Sequence, residues 1–260
     1  MILRIITVFF LLSAYILLPG CAATSDEEDP TVGMDVKEIY DEASTALKKG
    51  DYERAITLYE RLEARFPYGQ YAERSQMEIA YAYYKDNEPE SAILAADRFI
   101  KLHPNHSNVD YAYYLRGLAS YDLSESFLQS MFSVDPSQHD PKAARRAFEY
   151  FAELIKKYPK SKYSKDALER MALIRNNLAA YEVHVANFYI RRGAYLAAAN
   201  RCKYVVENYQ RTPAVADALA LMVQAYEKMG MTDLAADARR VLELNYPDNA
   251  LLKNKPTPSQ

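Results

Sequence analysis

The sequence predicts an all-α protein in which five helix pairs stack into a superhelical solenoid. Its 260 residues include seven glycines and no tryptophan, and Ala, Leu, Tyr and charged residues recur three and four positions apart, as in amphipathic helices. Runs in which Val or Ile alternates with polar residues, which would indicate strands, are absent from the sequence. A motif also recurs at intervals of 37 to 55 residues, which is typical of a solenoid.

The repeat is defined by five alanines that are flanked by the same residue types at fixed distances. Gly or Asn stands five positions before four of these alanines, and Pro stands twelve positions after four of them. Gly and Asn tolerate the left-handed backbone that ends a helix, and Pro stops the second helix of a pair. Each unit is therefore a helix, a tight turn, a helix and a stop. The alanines are Ala55, Ala92, Ala147, Ala198 and Ala235.

This pattern resembles the tetratricopeptide repeat from Val36 to Asp248, most clearly in "KKGDYERAITLYERLEARFP". Units three and four contain insertions of 18 and 14 residues relative to the 37-residue spacing. The first insertion, "SESFLQSMFSVDPSQHDPK", is expected to be a loop, and the second, "RNNLAAYEVHVANFYIRRG", is expected to lengthen a helix. Insertions in solenoids often mark a face that has a separate task.

The amino terminus has the layout of a secretory signal followed by a lipidation site. Arg4 precedes a 14-residue apolar run, which is shorter than the roughly 20 residues that span a bilayer. The run ends in "LPGCA", which is similar to the lipobox of bacterial lipoproteins. We therefore expect Cys21 to become the first residue and to carry a diacylglyceryl thioether and an acylated amine. We expect no cofactor other than this lipid. The residue after the cysteine, Ala22, is compatible with sorting to the outer membrane.

The composition narrows the class of partner. A formal net charge of −3 offers no electrostatic footprint for nucleic acid, so nucleic-acid binding is not expected.

The expected organisation is a signal at 1–20, the lipidated cysteine and a flexible tether at 21–35, repeats one to three at 36–160, repeats four and five at 161–248, and a disordered tail at 249–260.

No catalytic or metal-binding motif is evident. The sequence contains no phosphate-binding loop, nucleophile elbow or zinc-protease helix. His103 and His106 are separated by Pro104, and no thiol or carboxylate cluster accompanies them, whereas a metal site needs three or four converging ligands. We therefore expect neither a metal site, nor a small-molecule substrate, nor enzymatic turnover.

Tyrosine is unusually frequent, with 23 of 260 residues, and many tyrosines fall on the first helices of the repeats. In tetratricopeptide domains, these helices line a concave groove. For any single tyrosine, packing between neighbouring helices is an equal alternative. Taken together, aromatic rings with a few cations suit an extended aromatic-rich peptide, often with a free carboxylate. The candidate groove residues are Tyr40, Tyr68, Arg74, Met77, Tyr81, Tyr84, Lys85, Tyr111, Tyr114 and Tyr121.

A second candidate site is the segment "RRGAYLAAANR" from Arg191 to Arg201. Arg191 and Arg192 fall in a last helical turn, where positive charge offsets the helix dipole. Arg201 has no such explanation, because it lies at the edge of the buried stripe of the following helix. Its guanidinium could extend from that edge and bind a carboxylate of a partner.

The repeats, the lipobox and the segments "RFPYGQY", "HPNHSNVDYAYYLRGL", "SVDPSQHDPKAARRAF" and "RRGAYLAAANR" together resemble the BamD family. These proteins are lipid-anchored subunits of the β-barrel assembly machinery of Gram-negative bacteria. The resemblance implies a non-enzymatic scaffold on the periplasmic face of the outer membrane. It implies that the first repeats receive unfolded outer-membrane proteins by their aromatic carboxyl-terminal signals.

The same resemblance implies that the second half of the chain binds BamA, and that BamC and BamE-like lipoproteins are further partners. Arg201 matches the arginine that closes the family motif at the BamA contact, and Tyr195, Asn200 and Arg192 lie beside it in the sequence. We expect Arg201→Glu to weaken this association and to leave the fold intact.

Two alternatives remain open from the sequence. One is a different tetratricopeptide lipoprotein, such as a pilus-assembly pilotin, although that class lacks the two insertions. The other is a cell-wall enzyme that carries a helical repeat. Such an enzyme would need an acidic catalytic residue in a sugar-sized cleft, and none stands out in the sequence.

Overall fold

The computed structural model describes residues 29–130 and 141–249, and the regular elements within them are α-helices. The expected signal, Cys21 and all but the first residue of the expected tail lie outside these residues. The helices belong to one compact unit that begins at Asp35. They are α1 (Val36–Lys49), α2 (Tyr52–Arg65), α3 (Gln70–Lys85), α4 (Pro89–Leu102), α5 (Val109–Ser130), α6 (Lys142–Lys157), α7 (Ser164–Arg191), α8 (Tyr195–Asn208), α9 (Ala214–Lys228) and α10 (Thr232–Asn245).

The helices pack as consecutive antiparallel pairs, which confirms the predicted solenoid. Each helix contacts the next one along the chain. The first helices of neighbouring pairs also contact each other: α1 packs against α3, and α3 packs against α5. The first helices therefore form one continuous side of the solenoid. This arrangement is the one expected when each pair buries its apolar face against its neighbours.

The turn between α1 and α2 shows how the local sequence builds one pair. Asp35 caps α1 by accepting a hydrogen bond from the Glu38 N–H, and the Glu38 side chain returns a contact to the Asp35 N–H. Gly50 ends the helix with φ of +82°, and the Asp51 N–H then donates to the Ala46 carbonyl at 3.0 Å. The Asp51 carboxylate in turn accepts from the Arg54 N–H at 3.3 Å and caps α2.

The repeat register predicted from the sequence is confirmed throughout these units. The five aligned alanines are at most 5% exposed, and Asn87, Gly193 and Gly230 adopt positive φ as Gly50 does. The second helix of every unit ends ten residues after its alanine. Unit four keeps this register although Gln210 replaces the proline: its second helix ends at Asn208, and the buried Tyr209 follows as the cap.

The two insertions differ in their outcome. The second is helical, as expected, because α7 extends over 28 residues. The first was expected to be a loop from Ser124 onwards, and this expectation is wrong for residues 124–130, which continue α5. The physical reason is that neither Gly nor Pro occurs in residues 124–130, so nothing in that stretch stops the helix. Residues 131–140 lie outside the described residues.

The helix α5 packs closely against both α4 and α6. A Cβ atom added to Gly117 would lie 2.4 Å from the ring of Phe151, which is fully buried. Next to it, the buried guanidinium of Arg116 forms ion pairs with Asp97 and Glu153 and lies 4.1 Å from the ring centroid of Tyr150. These contacts hold α5, which carries several of the candidate groove residues.

Candidate functional site

The side of the solenoid formed by the first helices carries a band of tyrosines. The Tyr40 ring contacts the Tyr71 ring at a centroid distance of 5.3 Å. Further along, Tyr114 stacks on Tyr163 at 4.8 Å with planes 15° apart, and Tyr111 packs against the same ring at 5.2 Å. The sequence interpretation had not included Tyr71 or Tyr163. We call the band formed by Tyr40, Tyr71, Tyr81, Tyr84, Tyr111, Tyr114 and Tyr163 the tyrosine groove.

Carboxylates and one arginine hold two rings of the tyrosine groove, Tyr84 and Tyr114. The Tyr114 hydroxyl donates to Asp166 Oδ2 at 2.6 Å, and Arg170 Nε donates to the same oxygen at 2.6 Å. Burial would raise the pKa of Asp166, but these two hydrogen bonds outweigh it and lower that pKa. Burial and the neighbouring Asp122 carboxylate raise the pKa of Tyr84 to about 12. These contacts therefore hold the Tyr84 and Tyr114 rings in place.

Glu78 adds a carboxylate that the sequence interpretation passed over. It is only partly exposed, and its charge acts on Tyr40 in α1, Tyr59 in α2 and Tyr111 in α5. Burial raises the pKa of Glu78, although Lys48 opposes the shift. Among residues 29–130 and 141–249, the Glu78 carboxylate has no hydrogen-bond donor. It is therefore an open acceptor within the tyrosine groove.

Two cations flank Glu78 on the same helix. Arg74 and Lys85 are both exposed, and the spacing of 74, 78, 81 and 85 places the four side chains along one stripe of α3. Within the described ranges, neither Arg74 nor Lys85 forms an ion pair. The tyrosine groove thus combines aromatic rings, an acceptor and two available cations.

Three predicted groove residues have different surroundings. Met77 is 8% exposed and belongs to the main hydrophobic core with Phe99 and Ala112, so it does not line the surface. The physical reason is that α3 buries position 77 against α4 and α5. Tyr121 is also 8% exposed, and the Arg170 guanidinium covers its ring at 5.1 Å. Tyr68 is 91% exposed in the turn before α3.

The second candidate site centres on a buried carboxylate that two arginines hold. The side chain of Glu182 in α7 is 2% exposed, and its Oε2 accepts from Arg201 Nη1 at 2.8 Å. Arg145 Nη2 lies 3.5 Å from the other oxygen, Oε1. The two arginine side chains are 44% and 47% exposed, so their outer parts face solvent. We call Glu182, Arg145 and Arg201 the Glu182 clasp.

The Glu182 clasp opens into a surface depression of about 520 Å³ that Tyr189, Asn200 and Tyr204 also line. A second depression of about 530 Å³ lies beside it, with Asn200 common to both and with Tyr195 on its wall. Three predicted residues, Tyr195, Asn200 and Arg201, are therefore brought together. Arg192 is not, because its guanidinium lies 5.0 Å from the centroid of the Phe188 ring and lines neither depression.

The clasp changes the expectation for Arg201→Glu. A glutamate at 201 would bring a second carboxylate next to the buried one, and Glu182 would keep only its longer contact with Arg145. An uncompensated buried charge is strongly destabilising. The expectation that this substitution leaves the fold intact is therefore not supported by the geometry, and neutral replacements are the better test.

Neither metal-binding clusters nor membrane-spanning helices are found in the part of the chain that the structure describes. No group of three or more His, Cys, Asp or Glu residues there could hold a metal ion, and no helix there is long and apolar enough to cross a bilayer. His103 and His106 pack on the Phe99 ring at 5.1 and 5.2 Å. The His103 Nε2 atom also lies 2.7 Å from Gln76 Oε1, which is a structural contact.

Comparison with known proteins shows the family to which this chain belongs. Residues 33–242 match the model of the YfiO family, described as an outer membrane lipoprotein. The chain belongs to this family. The outer membrane protein assembly factor BamD of Neisseria meningitidis serogroup B is 46% identical over 239 residues, which cover 91% of this chain and 90% of that protein. BamD of Xylella fastidiosa is 40% identical over 95% of this chain and 84% of that protein.

Among solved structures, the MamA protein aligns over 86% of this chain and 98% of its own, with 17% identity and a TM-score of 0.39. At that score, the likeness carries no argument about function. The YfiO family assignment therefore depends on the sequence relatives, and the site assignments depend on the contacts described above.

Proposed function

We propose that this chain is a non-enzymatic scaffold that takes part in assembling β-barrel proteins of the outer membrane. The observation that carries the proposal is the family match over residues 33–242, since relatives in that family are named outer membrane protein assembly factors. The chain would act by binding two classes of protein at two surfaces. No cofactor is needed for that role except the lipid on Cys21.

The first surface is the tyrosine groove, which we propose as the receptor for aromatic carboxyl-terminal segments of unfolded barrel proteins. Fixed rings offer stacking area at a low entropic cost, because Tyr114 and Tyr163 are already stacked. Arg74 and Lys85 offer charge to a terminal carboxylate, and Glu78 offers an acceptor to peptide N–H groups.

Substitution in this groove tests the proposal. Tyr81→Ala combined with Tyr84→Ala should reduce crosslinking to a carboxyl-terminal barrel peptide, because both rings lie on the groove side of α3. Tyr83→Ala is the matched control on the same helix, since the Tyr83 hydroxyl donates to Glu60 of α2 at 2.9 Å, on the side of α3 opposite to the stripe that carries Tyr81. Crosslinks that map only to repeats four and five would contradict the groove assignment.

The second surface is the pair of depressions around Asn200, which we propose as the docking site for the periplasmic domains of BamA. Its support is a guanidinium at the edge of an aromatic-lined depression, an arrangement that is common at interface hot spots. BamC and BamE-like lipoproteins would be further partners of the same complex. We expect BamA to copurify with the wild-type chain from detergent-solubilised outer membranes. We expect this copurification to be lost with Asn200→Asp.

The location that we propose is the periplasmic face of the outer membrane, where acyl chains on Cys21 anchor the chain. Several chains are needed, because a single one binds membranes only marginally. Labelled palmitate should enter the wild-type protein and should be lost in Cys21→Ser. Label that persists in Cys21→Ser would contradict the anchor while leaving both binding surfaces open.

A further inference from the structure

The Glu182 clasp joins three consecutive helices through residues that are 19 and 37 positions apart in the sequence. Arg145 belongs to α6, Glu182 to α7 and Arg201 to α8. A nearly fully buried carboxylate is costly unless it is paired, and here both of its oxygens face a guanidinium. The pairing therefore fixes where the two guanidinium groups lie.

The contacts with Glu182 leave donor capacity on both arginines. Arg201 contacts Glu182 through Nη1, and Arg145 contacts it through Nη2. Each guanidinium has five N–H donors in a planar fork, so further N–H groups can bind a second acceptor. Because both side chains are close to half exposed, those donors are accessible from the depression.

The charge of this depression favours an anion. Two guanidinium groups face one carboxylate, which leaves a positive excess. The other lining residues, Tyr189, Ala197, Asn200 and Tyr204, carry no charge at neutral pH. An aromatic-lined, partly desolvated site with two converging arginines is suited to one carboxylate of a protein surface.

We propose that Arg145 and Arg201 together bind one aspartate or glutamate side chain of the docking partner, and that Glu182 is the residue that positions both arginines. This inference rests on the docking function proposed above and deepens it. Its new elements are the role of Arg145, which lies in repeat three outside the "RRGAYLAAANR" segment, and the role of Glu182. Docking would thus involve repeat three as well as repeats four and five.

Arg146 provides a matched control on the same helix. It is also a partly exposed, paired arginine, but it contacts Glu90 at 2.8 Å and Ser120 at 3.2 Å on a different side of α6. With the full-length lipidated chain and BamA, both in detergent, Arg145→Ala should weaken binding roughly tenfold. Arg146→Ala should leave the dissociation constant within about twofold of the wild-type value.

Two negative outcomes of this binding comparison have different consequences for the docking function and for the role of Arg145. If the wild-type chain does not bind BamA at all, the docking function fails, and this inference fails with it. If the wild-type chain binds and Arg145→Ala binds as well as Arg146→Ala does, only the inference is overturned.

The positioning role of Glu182 has its own test. Glu182→Gln should weaken binding because the two arginines then repel each other and separate, and adding Arg145→Ala should cause little further loss. A purely structural role would give independent, additive losses. If Glu182→Gln does not fold, Arg145→Lys decides the question, because lysine keeps the positive charge but lacks the planar fork of N–H donors. Weakened binding with a melting temperature close to that of the wild type supports the clasp. Unchanged binding overturns the proposal.

Discussion

Gly117→Ala is expected to destabilise this fold, although the same change at most helical positions is stabilising. Replacing a mid-helix glycine by alanine usually gains about 0.5–1 kcal/mol. Here the new Cβ would lie 2.4, 2.5 and 3.0 Å from three ring atoms of Phe151, whereas carbon atoms normally pack about 3.5–4.0 Å apart. The Phe151 ring is fully buried between helices, so it cannot turn away freely.

Overpacking of this kind costs about 1–3 kcal/mol, and the approach of 2.4 Å places Gly117→Ala at the upper end. After the helix-propensity gain, we expect a net loss of about 2 kcal/mol, or about 4–8 °C in melting temperature. Urea unfolding monitored by circular dichroism measures it. Phe151→Leu should relieve part of the loss in a double mutant. If Gly117→Ala stabilises the protein by about 1 kcal/mol, the close approach of α5 and α6 is not as described.

Three further outcomes follow from the burial and the charges. Burial raises the pKa of Tyr84 and Tyr114 to about 12, whereas a tyrosine in an unfolded chain has a pKa of about 10. The neutral rings therefore stabilise the fold below pH ~10. The free energy of unfolding should fall between about pH 10 and 12 as tyrosinate absorbance rises. Cys202 is fully buried and its pKa is raised to about 12, so a thiol reagent should label it only after denaturation. Arg201→Ala should cost about 1–2 kcal/mol, discounted because Arg201 is 44% exposed, and Arg201→Glu should cost more; equal stability of both with wild type would contradict the clasp.

The repeat architecture was predictable because its signals are local. The alanine, the turn residue and the proline act within one helix pair, so their spacing predicts where each helix begins and ends. The extension of α5 through Ser130 was missed because the prediction gave weight to Pro136 and Pro141 and overlooked the uninterrupted helical residues before them.

The candidate sites were only partly predictable, because their geometry depends on contacts between distant residues. Spacing along α3 could not decide whether Met77 faces the core or the groove. The clasp joins Arg145 to a carboxylate 37 residues away, which no local pattern indicates. One signal was available: Glu182 interrupts the apolar segment "LAAYEVHVA" at a buried helical position, and such a carboxylate requires a partner.

Site-specific photocrosslinking in cells tests the central claim most directly. A photoreactive amino acid at position 81 probes the tyrosine groove, and one at position 200 probes the depressions beside the clasp. The account predicts crosslinks from position 81 to carboxyl-terminal segments of unfolded barrel proteins and from position 200 to BamA. Crosslinks to BamA from position 81 and none from position 200 would contradict the assignment of the two surfaces.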